Sequence, residues 1–588
     1  MLSRIAFFVS VSLMCYASFS FFPRYKKRYT EATIAWDVSG YYWYLPSIFI
    51  YKDLKHQSFK DSILDKYCPT GCFDFQQGMK LDNGNYVMKY SSGMAVMYLP
   101  FFTAAHLLAG PLGYPRDGFS RPYQFAIQFG GLLISFLGLW YLRKLLLKFY
   151  SDKVVGIVLV LLVFGSNYLD YSAIDCGMSH CWLFTVYVFI LLGTYYFYQS
   201  FKTRYAIMIG LLVGLATLTR PTDVISCLIP LLWGMEGISL TAIKGRVALI
   251  IKNIKGVVLA CIFAALVISI QLVYWKYVSG HWLVYSYGGQ GFSWLHPNVF
   301  LYSFNYKCGW LTYSPMLMVA LAGFIPFLKN GKNRVAVVVF FLVNYYIVSA
   351  WEIWQYGGRA MVQSYPVLMF PLSAIINMAI ERKVWLWVIT PMVLLFLYFN
   401  IWISWNYHRG QIYDDECMTK FYFWRVAGRW NKPPGSTVVL KDETELFEGE
   451  PHNMRQLYQN DLRNDSNAHG TGTLVLSKQI QRSQHYKFAF SRDNAQWLRA
   501  QASFHCNHKD WNVWKMARFI VTIVDKDKAV KENMIRVDRL INDGDTKDIS
   551  IDVKLPDNHF DSVTISFWNA EGESELAISD LKVWSFNK

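Results

Sequence analysis

Charge is scarce in this 588-residue chain: 17% of the residues are Asp, Glu, Lys or Arg, where an ordinary soluble domain carries about a quarter. With 54% hydrophobic and 18% aromatic residues, that shortage excludes a disordered chain and argues against an all-soluble enzyme. Internal repeats, low-complexity tracts and a phosphate-cradling Gly-rich loop are also missing. Without such a loop or a soluble nucleotide-sugar domain, nucleotide-dependent transfer has no visible seat.

The formal charge is nevertheless +16, which in a soluble protein would suggest nucleic acid. Its distribution says otherwise. Up to Ser404 there are 32 basic and 15 acidic residues, and beyond it 25 and 26. The excess sits entirely in the hydrophobic part, and no nucleic-acid partner is expected.

Apolar runs long enough to cross a membrane need roughly 17 to 25 residues, fewer where a helix is broken or paired. Eleven are predicted, near 4–22, 122–142, 154–170, 180–198, 204–219, 221–236, 255–275, 313–328, 334–350, 361–380 and 384–404. Met94 to Leu108 is apolar but short and carries Pro100 and His106, so it is read as lying in the interface. With the N-terminus inside, the cytoplasmic segments hold 16 basic and 3 acidic residues, against 16 and 12 for the outward segments. This is the positive-inside asymmetry. Only Arg24, Lys26, Lys27 and Arg28 run against it. Tyr16-Ala17-Ser18 is a poor small-x-small cleavage site, so the first span reads as a signal anchor.

An odd number of spans leaves the C-terminal part outside. Three segments follow: a membrane domain over 1–404 with a first outer loop at 23–121, a linker region at 405–470 containing Pro433-Pro434-Gly435, and an all-β sandwich at 471–588. Period-2 alternation at Leu498, Ala500, Ala502 and Phe504, at Ile549, Ile551 and Val553, and at Val563, Ile565 and Phe567 marks strands. Seven or eight short strands broken by Asn/Asp/Gly turns predict a jelly-roll-like domain. The fold class is therefore an α-helical polytopic membrane protein with a C-terminal β-sandwich.

Cys68 and Cys72, spaced C-P-T-G-C on the outer face, are compatible with a turn-closing disulfide or with two free thiols. A zinc site lacks a second ligand pair. His505, Cys506 and His508 share one strand, where neighbouring side chains face opposite sides, which disfavours a metal.

The ionisable residues of the membrane region avoid mid-span. Asp37, Asp170, Asp175, Arg220, Asp223, Glu352 and Arg359 lie at outer span ends or just beyond. A transporter would place such groups near the midplane; this pattern describes a polar site opening at one face. Asp37 heads an aromatic-rich amphipathic stretch and is also a natural helix N-cap. Lys89, in Met88-Lys89-Tyr90-Ser91-Ser92-Gly93, could meet a lipid phosphate or simply snorkel to headgroups. Arg220 sits between two abutting apolar segments, where Pro221 breaks the helix. Asp175 and His180 belong to the polar turn Asp170 to His180, and Arg359 closes Tyr356-Gly357-Gly358-Arg359. Cations and carboxylates gathered at one face suit group transfer from a phosphate-bearing lipid. The loop from Gln271 to Ser314 is rich in aromatics, among them Tyr287, which would suit sugar rings or an interfacial belt equally.

The aspartate after the first span, Lys89-Tyr90-Ser91-Ser92-Gly93 ahead of an apolar segment, and Gly214-Leu215-Ala216-Thr217-Leu218-Thr219-Arg220-Pro221 together resemble membrane glycosyltransferases of the GT-C fold. The similarity is to bacterial lipid A aminoarabinose transferases and protein O-mannosyltransferases, over about residues 1–404. It differs from the family pattern in Val38 and Ser39 after the aspartate and in Ser91-Ser92 after the lysine. The resemblance implies transfer of a hexosyl or pentosyl group from a polyprenyl-phosphate donor, with inversion, to an acceptor glycan, glycolipid or protein outside the membrane. It implies Asp37 as base, Asp175 as the second acidic residue, and Lys89, Arg220 and Arg359 on the donor phosphate. Tyr41, Tyr90, His180 and Tyr287 are expected to touch substrate. A bacterial cytoplasmic (inner) membrane with a periplasmic or extracellular C-terminal domain is expected, and a divalent metal ion stays open. The alternatives are a lipid-linked glycan flippase and a membrane-anchored glycan-binding protein.

Overall fold

The computed structural model describes the chain apart from residues 71–74, 352–354, 410–417, 432, 434–446, 448, 463–467, 470–472, 492–493, 511–514 and 571. It divides into two units, Met1–His408 and Arg409–Lys588.

The first unit is built from apolar helices. Six are long and apolar enough to cross a membrane: Leu2–Lys26, Arg121–Leu146, Ser179–Ser200, Ile254–Ser279, Tyr356–Glu381 and Val384–Arg409. Five shorter apolar helices accompany them, at Gly93–Ala109, Thr203–Thr219, Pro221–Leu232, Met316–Asn330 and Arg334–Ala350. The chain is a multi-pass membrane protein in its construction. Ser179–Ser200 is the central helix, with most of its residues buried. Ile254–Ser279 is its opposite: it packs along Thr203–Thr219 and only 6% of its apolar window is buried. A helix apolar all round yet open to its surroundings needs lipid as its solvent.

Local sequence sets the helix ends. Ser151 caps Asp152–Gly165 by accepting from the Val154 N–H, and Asp152 in its first turn takes the Met1 ammonium at 2.7 Å. Arg143 donates to the Ser3 hydroxyl at 2.8 Å, and Arg334 pairs with Glu236 at 3.1 Å. Segments expected on the cytoplasmic side are thereby joined to one another. The predicted span at 154–170 is shorter than expected, because Ser166 turns extended and Asn167 N–H leaves the helix for the Ser314 hydroxyl. Gly93–Ala109, read as interfacial, is a continuous helix packed on Arg121–Leu146. A small hairpin of β1 (Gly78–Lys80) and β2 (Tyr86–Met88) precedes it, turning at Gly84.

The second unit holds β3 (His452–Asn460), β4 (Ala468–His469), β5 (Thr473–Leu476), β6 (Tyr486–Ala489), β7 (Trp497–His508), β8 (Arg518–Asp525), β9 (Lys528–Arg536), β10 (Thr546–Lys554), β11 (Ser562–Trp568) and β12 (Glu575–Asn587). One sheet runs β10-β7-β12-β5-β4, with β3 also paired to β12; the other runs β6-β11-β8-β9. All pairings are antiparallel. The alternating apolar residues of both sheets, such as Leu498, Ala500 and Phe504 of β7 and Phe519 and Val521 of β8, share one core. The two antiparallel sheets form a β-sandwich. β3 falls in the stretch read as a linker, where its mostly exposed face hides the alternation that marks a strand.

Candidate active site

Asp37 lies in the first turn of the short helix Trp36–Tyr42. The chain enters that helix under tension: Trp36 has a φ of 46°, a region that bulky residues avoid. It is held there by Trp36 N–H donating to Pro69 O at 2.8 Å and by Gln77 Nε2 donating to Trp36 O at 3.0 Å. Upstream, Gln124 and Gln128 accept from Ile34 N–H and the Thr33 hydroxyl, tying the loop to the helix Arg121–Leu146.

Arg359 reaches Asp37 from 322 residues away in sequence, pairing with its Oδ2. Its approach depends on the Gly357-Gly358 turn, whose φ values of 61° and 58° favour glycine. Asn167 Nδ2 donates to Gly357 O at 2.7 Å and the Tyr302 hydroxyl donates to Gly358 O at 2.9 Å, which fixes the turn. The other carboxylate oxygen of Asp37 accepts from the Tyr90 hydroxyl at 2.7 Å. Burial raises the Asp37 carboxyl, but Arg359, Tyr90 and Lys89 together outweigh it and hold the group below the usual carboxylate range. Burial and the Asp37 charge push the Tyr90 hydroxyl well above its ordinary value, so it remains a donor.

Arg220 arrives by a different device. Pro221 cannot continue the helix Thr203–Thr219, so Arg220 is extended, with φ −140° and ψ 113°. Its guanidinium stands 3.4 Å from His180 Nδ1, which also lies 3.0 Å from Gln363 Oε1. Gly93 presses directly on Thr219, where an added Cβ would overlap the Thr219 backbone. That close approach brings Lys89, Tyr90 and Ser91 beside Arg220. Lys89 lies 5.7 Å from the Tyr90 ring centre and 5.9 Å from that of Tyr287, and its carbonyl accepts from the Ser286 hydroxyl. The aromatic loop 271–314 thus folds against the lysine. Tyr41 packs edge-on to Tyr90 at 4.6 Å.

These side chains line one cavity of about 400 Å³. Asp37, Lys89, Arg220, Arg359, Tyr41, Tyr90, His180 and Tyr287 all face it. Asp175 does not: it is absent from the lining and its carboxylate is paired with Arg24 at the end of the first helical segment. Asp170 is also occupied away from the cavity, by Ser404 and His408, each at 3.0 Å. Cys68 ends the helix Lys60–Tyr67 in a left-handed conformation, and Cys72 lies outside the described residues, as does Glu352. Cavity-lining residues given no role from sequence include Asp223, Gln363, Asn344 and Trp351. Asp223 and Gln363 sit three and four residues beyond Arg220 and Arg359, and that proximity was the available signal. Among the described residues no group of three His, Cys, Asp or Glu is placed to hold a metal ion, and Cys506 of the His505-Cys506-His508 run is buried in the sandwich core.

No protein-family model matches the chain, and no curated protein matches it. Among solved structures it is similar to the apo crystal structure of the oligosaccharyltransferase of Archaeoglobus fulgidus, with a TM-score of 0.39 and 13% sequence identity over 74% of this chain. The chain covers 58% of that protein's length.

Proposed function

We propose that the chain is an integral-membrane, inverting glycosyltransferase of the GT-C type, moving a sugar from a polyprenyl-phosphate donor to an acceptor hydroxyl at the outer face of a bacterial cytoplasmic membrane. The observation that carries this reading is the convergence of Lys89, Arg220 and Arg359 with Asp37 on one cavity. Three cations in a membrane protein without a nucleotide-binding loop suit a phosphate that enters on a lipid. The helix Ile254–Ser279, which supplies Trp275 to the lining and packs on Thr203–Thr219 while leaving most of its apolar surface uncovered, gives an isoprenoid chain an apolar surface beside the cavity.

In the proposed reaction the acceptor oxygen attacks the anomeric carbon from the side opposite the phosphate. The bond from that carbon to the phosphate oxygen breaks, and polyprenyl phosphate leaves with the electron pair. Asp37 takes the acceptor proton. A carboxylate held below its usual range is a weak base, so it first orients the hydroxyl and receives the proton late, once bonding to carbon has made the oxygen acidic. Lys89 and Arg220 offset the charge that grows on the phosphate, an effect of a few kcal/mol per donor at comparable sites. Arg359 is shared between that phosphate and Asp37. Asp175, engaged by Arg24, is assigned to holding the acidic turn rather than to the reacting atoms. A flippase would need a polar track along several spans, whereas the ionisable groups facing the cavity cluster together.

The test is transfer by the purified protein in nanodiscs, supplied with radiolabelled undecaprenyl-phosphoryl glucose, galactose, mannose or arabinose and with an envelope glycolipid and protein extract. Wild type is expected to label an acceptor and Asp37→Asn to lose at least 100-fold while still binding undecaprenyl phosphate. If undecaprenyl phosphate binds no better than undecaprenol and no donor is consumed, the reading fails.

A further inference from the structure

The cavity holds a second carboxylate. Asp223 is 1% exposed, lines the cavity, and is placed by the turn Pro221–Cys227, in which its N–H donates to Arg220 O at 2.8 Å. It differs from Asp37 in one oxygen, which is left without a partner although Gln363 and Tyr187 stand near the carboxylate. Both oxygens of Asp37 are occupied by protein partners, Arg359 and Tyr90. Asp223 Oδ2 is buried without a hydrogen-bond partner. A second lining group is orphaned too, the indole Nε1–H of Trp275, likewise buried and unpartnered. A native protein rarely leaves a buried carboxylate oxygen and a buried donor unsatisfied, since each costs about 1 to 3 kcal/mol. Two such groups facing one cavity point to something that fills it.

The chemistry of the pair limits what that is. The Asp223 oxygen can only accept, and the indole can only donate. A phosphate would satisfy the indole but be repelled by the carboxylate. An apolar chain would satisfy neither. A group that both donates and accepts, the hydroxyl, satisfies both, and adjacent hydroxyls can engage the two oxygens of a carboxylate together. Arg220, three residues before Asp223, offers the phosphate subsite immediately beside it.

We infer that Asp223 is the specificity-determining residue for the transferred sugar: it accepts hydrogen bonds from the ring hydroxyls of the glycosyl group while Arg220 holds the phosphate to which that group is attached. Resting on the transferase reading, this adds that selection for the sugar is made by a buried carboxylate that shares its cavity with an unpartnered indole donor. A site built to bond hydroxyls rejects a ligand lacking them strongly, because its own polar groups are then left bare.

The experiment compares binding of undecaprenyl phosphate with that of undecaprenyl-phosphoryl glucose, galactose, mannose and arabinose to the full chain in nanodiscs. Wild type, Asp223→Asn, Asp223→Ala and Trp275→Phe are each measured. At least one sugar-bearing lipid is expected to bind wild type 10-fold or more tighter than undecaprenyl phosphate. Asp223→Ala should abolish that increment, and Asp223→Asn and Trp275→Phe should reduce it, each increment being taken against the same variant's own affinity for undecaprenyl phosphate. An increment that survives in Asp223→Ala overturns the inference while leaving the transferase reading intact, as does a wild type that binds every sugar-bearing lipid no better than the bare phosphate. Failure of wild type to prefer undecaprenyl phosphate over undecaprenol overturns the transferase reading and the inference with it. Should Asp223→Ala fail to fold, Asp223→Asn, which keeps the shape of the side chain, decides the matter by the same increment.

Discussion

The carboxylate of Asp37 is clamped between the guanidinium of Arg359 on one oxygen and the hydroxyl of Tyr90 on the other, three groups from three distant stretches of chain. Neither cation nor acid is free to act alone. Removing Arg359 leaves a largely buried carboxylate without its counter-charge, a change that costs about 3 to 5 kcal/mol for buried pairs. Arg359→Ala is therefore expected to lower the unfolding midpoint as well as to abolish transfer. Arg359→Lys should recover stability but not rate, because an ammonium cannot serve Asp37 and a phosphate with separate, rigidly spaced donors. Thermal unfolding and transfer assays on the same preparations separate the two effects.

In the proposed transfer, Tyr90 is expected to set the acid limit through its hydrogen bond to Asp37. Asp37 sits below the usual carboxylate range in the folded protein. Its ion pair therefore stabilises the fold above the ordinary carboxylate pKa of about 4 and is lost as pH falls through the lower, folded value. Tyr90→Phe removes one of the groups holding Asp37 down. A hydrogen bond to a charged group is worth about 1.5 to 3 kcal/mol, so the acid limb of the rate profile should move to higher pH by about one to two units. The measurement is transfer rate against pH for both proteins. An unmoved limb would show that Asp37 does not govern it.

Gly358 carries the aim of Arg359. Its φ of 58° is left-handed, and a Cβ there would meet Trp310 Cβ at 2.6 Å and the Tyr302 hydroxyl at 2.8 Å. Gly358→Ala combines backbone strain of about 1 to 3 kcal/mol with a clash against a fully buried tryptophan. The expected outcome is a lower melting temperature and loss of transfer, with undecaprenyl phosphate still bound through Lys89 and Arg220. Gly84→Ala, also at positive φ but in open space at the hairpin tip, is the control and should leave transfer near the wild-type rate.

Asp175 and Arg24 form a unit, and a double-mutant cycle reveals it. If Asp175 acts by holding Arg24, then Asp175→Ala and Arg24→Ala should lower stability by similar amounts, and the double variant by little more than either. An Asp175 that touched the acceptor would instead reduce kcat in a way that Arg24→Ala does not reproduce. Transfer kinetics and melting temperatures of the four proteins discriminate between these outcomes.

What the sequence makes legible follows from locality. Long apolar runs give their helices, and alternating residues such as Ile549, Ile551 and Val553 give strands that the sandwich uses. Lys89, Arg220 and Arg359 are visible because each sits where an apolar segment is interrupted, and the structure places all three on one cavity. Asp175 looks equivalent to Asp37 from sequence, since both are acids beside a span. Only the fold places Arg24 against it, a contact across 151 residues that no periodicity announces. Asn344 escapes notice for the opposite reason: a neutral polar residue within an apolar helix carries no charge or motif, and its orientation toward the cavity is a property of packing. β3 is missed because its exposed residues lack alternation, and its pairing partner β12 lies more than a hundred residues away.

The β-sandwich has its own keystone in Asp538. Its carboxylate accepts from Asp510 N–H at 2.8 Å, Ala517 N–H at 2.7 Å and the Ser574 hydroxyl at 2.5 Å, joining three loops at one edge of the two sheets. The group is 2% exposed. Burial raises its carboxyl above the usual value despite these donors, so the ionised form is supported by the bonds rather than by solvent. Asp538→Ala would strand the buried Ala517 N–H, at about 1 to 3 kcal/mol, whereas Asp510 N–H keeps a second acceptor in the Ser574 hydroxyl at 3.1 Å. The expected loss is about 1 to 3 kcal/mol, with the Ala517 amide changing from slow to fast hydrogen exchange and the Asp510 amide changing less. Asp538→Asn keeps one acceptor oxygen and should retain slow exchange at one of the two amides. Because a raised carboxyl pKa means the folded state holds its proton more tightly than the unfolded chain, the contribution of Asp538 to stability is full below the ordinary carboxylate pKa. It declines as pH rises through the folded value. Asp538→Asn, which cannot ionise, should therefore flatten that part of the stability profile, and an unchanged slope in unfolding measured between pH 4 and 7 would assign the titration to another group.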